Sequence, residues 1–152
     1  MSLATFLGRV TQTSWRERLI LAEAVTSLAA SALAIRLVPF RVLVRKASGA
    51  GAGRKHDTQG SALSVEKLHW AIKASAPYLP WKTACFQEGL ALHAMLRRRG
   101  LASVLHYGVG QSPGRGLTAH VWVSVDGRIL IGEEEAGSHA CLASFPPAAE
   151  QS

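Results

Sequence analysis

Residues 81–100 read WKTACFQEGLALHAMLRRRG, and the reading of this stretch decides the fold. Pro77 and Pro80 bias the residues before them away from helix, so Tyr78 to Trp81 is extended. From Thr83 or Ala84 onward the apolar residues Phe86, Leu90 and Leu96 recur at helical spacing, which predicts a helix to Arg99 with Gly100 as its stop. Arg97, Arg98 and Arg99 fall at the helix end, where cations complement the macrodipole. Cys85 therefore lies in the first turn.

Downstream, Leu101 to Val109 alternates weakly as a strand and Gln111 to Gly116 is a Gly/Pro loop. Ala119, Val121, Val123 and Val125 line one face of a clear strand. Asp126-Gly127 is a two-residue hairpin signal joining that strand to Arg128 through Gly132. Upstream, Ser64 caps a helix carrying Val65, Leu68, His69 and Ile72 at helical spacing, stopped by Pro77. Further back, Ser14 to Arg45 reads as helical, with Ser14 as N-cap and Pro39 as a break. Between these helices residues 47–60, with Gly49, Gly51 and Gly53, read as a flexible linker. The expected organisation is a helical appendage at 1–46, the linker at 47–60 and a core at 61–152. The order of helix, helix and three strands is that of an α+β domain.

At 152 residues with 48% hydrophobic and 18% charged residues, the chain can bury a core without disulfides or a structural metal. Two cysteines in different settings, Cys85 and Cys141, do not make a secreted disulfide scaffold, and a cytoplasmic location is expected. The net charge of +7 favours acidic partners without selecting one. Leu19 to Ile35 is largely apolar, but Glu23 and many small or hydroxyl residues argue against a membrane span. A helix packed on the core or on a partner is expected instead. Nucleic acid is not an expected partner, because the basic residues are not interleaved with exposed aromatics.

The first turn of a helix supplies partial positive charge and backbone N–H groups, which favour a thiolate and can stabilise a tetrahedral oxyanion. Cys85 is thus a candidate nucleophile. A cysteine by itself is more often a small buried hydrophobe, and it is His120 that changes the reading. His120 begins the best strand, on the face it shares with Trp122 and Ser124, and its ring can reach a helix N-terminus packed against the sheet. A two-residue turn at 126–127 pairs Val125 with Arg128 and, continuing outward, His120 with Glu133. Glu133 is therefore the candidate acceptor for the Nδ1 proton of His120, with Glu134 in reserve if a bulge shifts the register. Asp126, about 20 Å away at about 3.3 Å per residue, belongs to the turn. His69, His93 and His106 read as packing or surface residues, and no ligand spacing such as HxxxH or CxxC supports a metal. No cofactor is expected.

Residues 81–100 followed by AHVWVSVDG at 119–127 resemble the leader peptidase of lasso-peptide biosynthesis, the B protein family. The resemblance runs from about Trp81 to Ile131. It implies a papain/transglutaminase-like core, in which a helix bearing Cys85 packs on a small antiparallel sheet bearing His120. It further implies a cysteine peptidase that removes the leader from a ribosomally made precursor peptide before an ATP-dependent macrolactam cyclase closes the ring. The N-terminal part is short for a leader-recognition domain, so a separate recognition protein is expected. Where the family often carries Asp, this sequence reads Gly132-Glu133. An acyltransferase on the same Cys–His site and a noncatalytic peptide-binding module are the alternatives.

Overall fold

The computed structural model describes residues 14–39, 42–43, 58–112, 114 and 116–146. Helix α1 spans Trp15–Leu37. It begins where the sequence places a cap: Ser14 Oγ accepts from the Glu17 N–H at 3.3 Å, and Glu17 Oε2 accepts from the Ser14 N–H at 3.0 Å. This reciprocal pair satisfies two of the amides that a helix start otherwise leaves open. The helix stops at the extended Val38, just before Pro39. Val42 and Leu43 are again helical, while Val44 and Arg45 lie outside the described residues.

Helix α2 spans Thr58–Ser75. It starts well before Ser64, so Ser64 is an interior residue and not a cap. The expected linker is correspondingly shorter: 58–60 belong to α2, and 47–57 lie outside the described residues. A 3-10 turn, Ala76–Tyr78, holds Pro77 in its first turn. Helix α3 spans Cys85–Arg98, with Ala84 as N-cap. Its end is closed by the Leu101 N–H on the Leu96 carbonyl and the Gly100 N–H on the Arg97 carbonyl.

Four strands follow: β1 (Val104–Ser112), β2 (Gly116–Val125), β3 (Arg128–Ile131) and β4 (His139–Phe145), with a short helix α4 (Glu133–Ala136) before the last. They form an antiparallel sheet in the order β3-β2-β1-β4. Asp126 and Gly127 both have positive φ, 48° and 81°, as a hairpin turn that matches strand twist requires. The fourth strand was not expected. Its residues lack alternation because most of its side chains remain exposed or half-buried, so nothing in the local pattern marks it.

One apolar cluster holds the molecule together, joining Leu28 of α1, Leu68 and Ile72 of α2, Leu92 of α3, Leu105 of β1 and Val123 of β2. Helix α1 is long and apolar enough to cross a bilayer by length and composition. Here it packs as a core helix: Leu21, Ala24 and Leu28 are buried, and Gln87 Nε2 donates to the Leu28 carbonyl at 2.9 Å. Glu23, on the same helix, receives both Arg98 and Arg99 from the end of α3. The hydrogen bond from Arg99 is the main cause that holds its carboxyl below the ordinary range.

Candidate active site

Cys85 is the first residue of α3 and is half-buried. The residue before it, Ala84, is extended and offers no side-chain acceptor to the first turn. An alanine here stabilises the helix start less than Ser, Thr, Asp or Asn would, and it leaves the space before the amides open to a ligand oxygen.

One turn beyond, Gly89 seats the helix on the sheet. A Cβ at Gly89 would stand 3.3 Å from Val123 Cγ2 and 3.4 Å from Val121 Cγ1, so the helix approaches β2 as closely as a glycine allows without the valines giving way. The short connection from Arg98 to Val104 turns the chain back along the helix, so β1 runs against α3. Because β2 is antiparallel to β1, β2 runs with α3. Cys85 precedes Gly89 by about 6 Å of helix rise, which is about two residues of strand. The described structure puts no hydrogen bond between Cys85 and His120, and the imidazole leaves β2 on the Trp122 face.

His120 is buried, 4% exposed. Its Nε2 is 3.1 Å from the Gly132 carbonyl oxygen. A carbonyl only accepts, so Nε2 carries the proton and Nδ1 the lone pair of the neutral ring. The ring stacks on Trp122, with centroids 6.2 Å apart and planes 17° apart, and lies 5.3 Å from the His139 ring. Trp122 in turn stacks on His106 at 5.4 Å. His106 is anchored at both nitrogens, by Ser144 Oγ at 3.0 Å and Ser124 Oγ at 2.7 Å. Burial holds the His106 imidazole below its ordinary value. Gly108 and Gly110 of β1 make this layer possible, because a Cβ at either would overlap the Trp122 or the His139 ring.

The predicted pairing of His120 with Glu133 is not formed. Val125 pairs with Arg128 as expected, but the register then shifts, with Ser124 opposite Ile129 and Val123 opposite Ile131. The strand ends at Ile131, Gly132 turns with φ +83°, and Glu133 opens α4 with an exposed side chain. A backbone carbonyl, that of Gly132, accepts from the ring at Nε2. The bulge and the turn into α4 consume the residues that a regular ladder would have paired. A glycine directly after a strand and before an acidic run was the available signal.

A groove of about 650 Å³ lies beside the first turn of α3, lined among others by Pro77, Leu79, Pro80, Trp81, Thr83 and Glu88. Glu88 is three residues after Cys85 on the same helix, and Cys85 itself is not among the residues that line the groove. Thr83 Oγ1 donates to Glu88 Oε1 at 2.6 Å and Lys73 Nζ to Glu88 Oε2 at 3.0 Å, which fixes that wall. Among the described residues, the remaining histidines have packing roles: His93 is buried with Nδ1 2.9 Å from Ser103 Oγ, and His69 is half-buried on α2.

No curated protein and no solved structure matches the chain. A family model of the transglutaminase-like superfamily matches residues 24–142, beginning inside α1 and ending in β4. That span takes in α1 from Ala24 onward, α2, α3 and the whole sheet except the last residues of β4. By this match over most of its length, the chain belongs to the transglutaminase-like superfamily, which includes cysteine peptidases and acyltransferases.

Proposed function

We propose that this protein is a cysteine peptidase that removes the leader from a ribosomally made lasso-peptide precursor before macrolactam closure. The observation that carries the reading is Cys85 as the half-exposed opening residue of α3, in a chain of the transglutaminase-like superfamily. The resemblance of 81–100 and 119–127 to leader peptidases supplies the substrate class.

In this mechanism the His120 ring, which stacks with Trp122 on the sheet face away from α3, swings at the strand end toward the first turn of α3. Its Nδ1 takes the thiol proton and the Cys85 thiolate attacks the scissile carbonyl carbon, forming a C–S bond. The first-turn amides of α3 face the developing oxyanion. Collapse breaks the C–N bond, and the imidazolium gives its proton to the leaving amine. Water, deprotonated by His120, then hydrolyses the thioester and restores the thiol. The groove beside Cys85 holds the peptide on one side of the scissile bond, its apolar wall of Pro77, Leu79 and Trp81 facing an apolar side chain. The net charge of +7 suits an acidic leader, and a separate recognition protein and an ATP-dependent cyclase complete the pathway. The reaction belongs in the cytoplasm and needs neither nucleic acid nor membrane.

The test uses a lasso-peptide precursor carrying its leader, incubated with the protein and a leader-recognition protein and followed by mass spectrometry. Cys85→Ala and His120→Ala each lower leader release by at least about a thousandfold while precursor binding persists. Leader release by Cys85→Ala at the wild-type rate refutes the peptidase. A product carrying an added amine in place of water identifies acyl transfer on the same site.

A further inference from the structure

We propose that Thr83 and Glu88, joined to each other across Cys85, are positioning residues that hold the thiol-bearing turn of α3 where a cap would otherwise hold it; the inference rests on the reading of Cys85 as the nucleophile. The starts of α1 and α3 differ in how they are secured. In α1 the N-cap Ser14 and the third helical residue, Glu17, bond each other's backbone amides. In α3 the same two positions are Ala84 and Gln87. Ala84 has no side-chain oxygen to give, and Gln87, 5% exposed, donates from Nε2 to the Leu28 carbonyl of α1 at 2.9 Å. Both halves of a capping box are thus missing at the turn that bears Cys85.

The turn is held instead from one residue further out on each side. Thr83 stands just before the N-cap and Glu88 is the fourth helical residue, the two positions at which an apolar pair commonly staples a helix start and fixes the angle of the entering chain. Here the staple is polar. Thr83 Oγ1 donates to Glu88 Oε1 at 2.6 Å, a short bond of the kind a carboxylate accepts. Lys73 Nζ of α2 donates to Glu88 Oε2 at 3.0 Å, so the carboxylate is held at both oxygens. The Glu88 side chain is 12% exposed, and water competes little for these bonds. The Glu88 N–H also closes the first main-chain bond of the helix, on the Ala84 carbonyl at 3.1 Å. Glu88 therefore ties the turn through backbone and side chain together.

The substitution of a staple for a cap has a chemical reason. A Ser, Thr, Asp or Asn at the N-cap sets its oxygen on the amide of the second or third helical residue. Those amides, with the partial positive charge of the helix start, are what a thiolate in the first turn draws on. A cap oxygen at residue 84 would compete with the sulfur for them. A staple between residues 83 and 88 passes around the turn and fixes it without placing a side-chain oxygen on those amides. Without the staple an uncapped first turn frays, and the sulfur leaves the helical start on which the proposed chemistry depends.

Alkylation of the full chain by iodoacetamide, followed against pH with peptide mapping, reads Cys85 and uses the exposed Cys141 as a reference in the same molecule. Thr83→Val keeps the shape of the side chain and removes the donor. It is expected to move the Cys85 profile to higher pH by about half a pH unit, a reaction about threefold slower near neutral pH relative to the high-pH limit, with Cys141 unchanged. Thr83→Ser restores the donor and is expected to restore the profile. In a Glu88→Leu background Thr83→Val should add nothing, because the two residues act as one pair. A general loosening of the fold would alter both cysteines and would not be rescued by serine. A wild-type profile in Thr83→Val, or the same shift in both backgrounds, overturns the staple and leaves Cys85 standing as the nucleophile. A wild-type Cys85 that reacts no faster than Cys141 near neutral pH removes the nucleophile itself, and the inference with it.

Discussion

The two faces of the sheet are built on different physics. On the face toward α3, Leu105, Val121, Val123 and Ile131 are between 0% and 3% exposed, and the helix approaches as closely as Gly89 allows. The opposite face is a layer of rings and hydroxyls, in which His106, Trp122, His120 and His139 lie in succession over Gly108 and Gly110. The first face is held by volume, which tolerates exchange among similar apolar shapes. The second is held by direction, because ring stacking and hydrogen bonds fix where each nitrogen points. A strand that alternates between the two can therefore be stable on one side and chemically poised on the other.

The largest expected effect belongs to the apolar face. Leu105→Ala removes a side chain that is 2% exposed and is expected to cost about 3 kcal/mol in urea unfolding. Alkylation of folded Cys85 should keep its pH profile, since no ring moves. A changed profile would show that the faces are mechanically coupled.

A smaller loss of stability, about 2 kcal/mol, is expected for Gly108→Ala, whose Cβ would stand 2.7 Å from the Trp122 ring. Here the alkylation profile should change, because Trp122 is the stacking partner of His120. Equal stability loss with an untouched profile would mean that the ring layer does not position the imidazole.

The smallest effect is a pH dependence confined to the ring layer and to α2. Burial holds His106, and burial followed by the Lys73 charge holds His69, below their ordinary values. The unfolded chain then binds more protons than the folded one, so stability rises with pH through the window below about 6.5 and falls as pH drops through it. His106→Phe keeps an aromatic partner for Trp122 and should flatten this slope in melting experiments between pH 5 and pH 7. An unchanged slope would exclude His106 as a contributor.

Much of this was legible in the sequence because it is local. The N-cap at Ser14, the stop at Gly100 and the hairpin at Asp126-Gly127 each depend on a few neighbouring residues whose chemistry has one good outcome. The placement of Cys85 in a first turn follows from the same kind of signal. The partner assigned to His120 required more: it extrapolated a regular ladder across seven residues from the turn, and one register shift near Val123 was enough to end it. Nor did residues 139–145 announce a strand, since β4 is formed by pairing with β1 and not by its own alternation.

By itself, then, the sequence determined the cap of α1, the first turn of α3 and the hairpin, all of them matters of spacing and side-chain type, and it offered Cys85 and His120 as the residues of the proposed chemistry. The tertiary structure decided that α1 joins the same apolar cluster as the sheet, that β4 completes the sheet's edge, and that a glycine carbonyl meets the His120 ring. The physical reason is separation along the chain. Contacts between distant residues depend on every bulge and turn between them, and a backbone acceptor leaves no mark in the identity of the residue that carries it beyond the absence of a side chain.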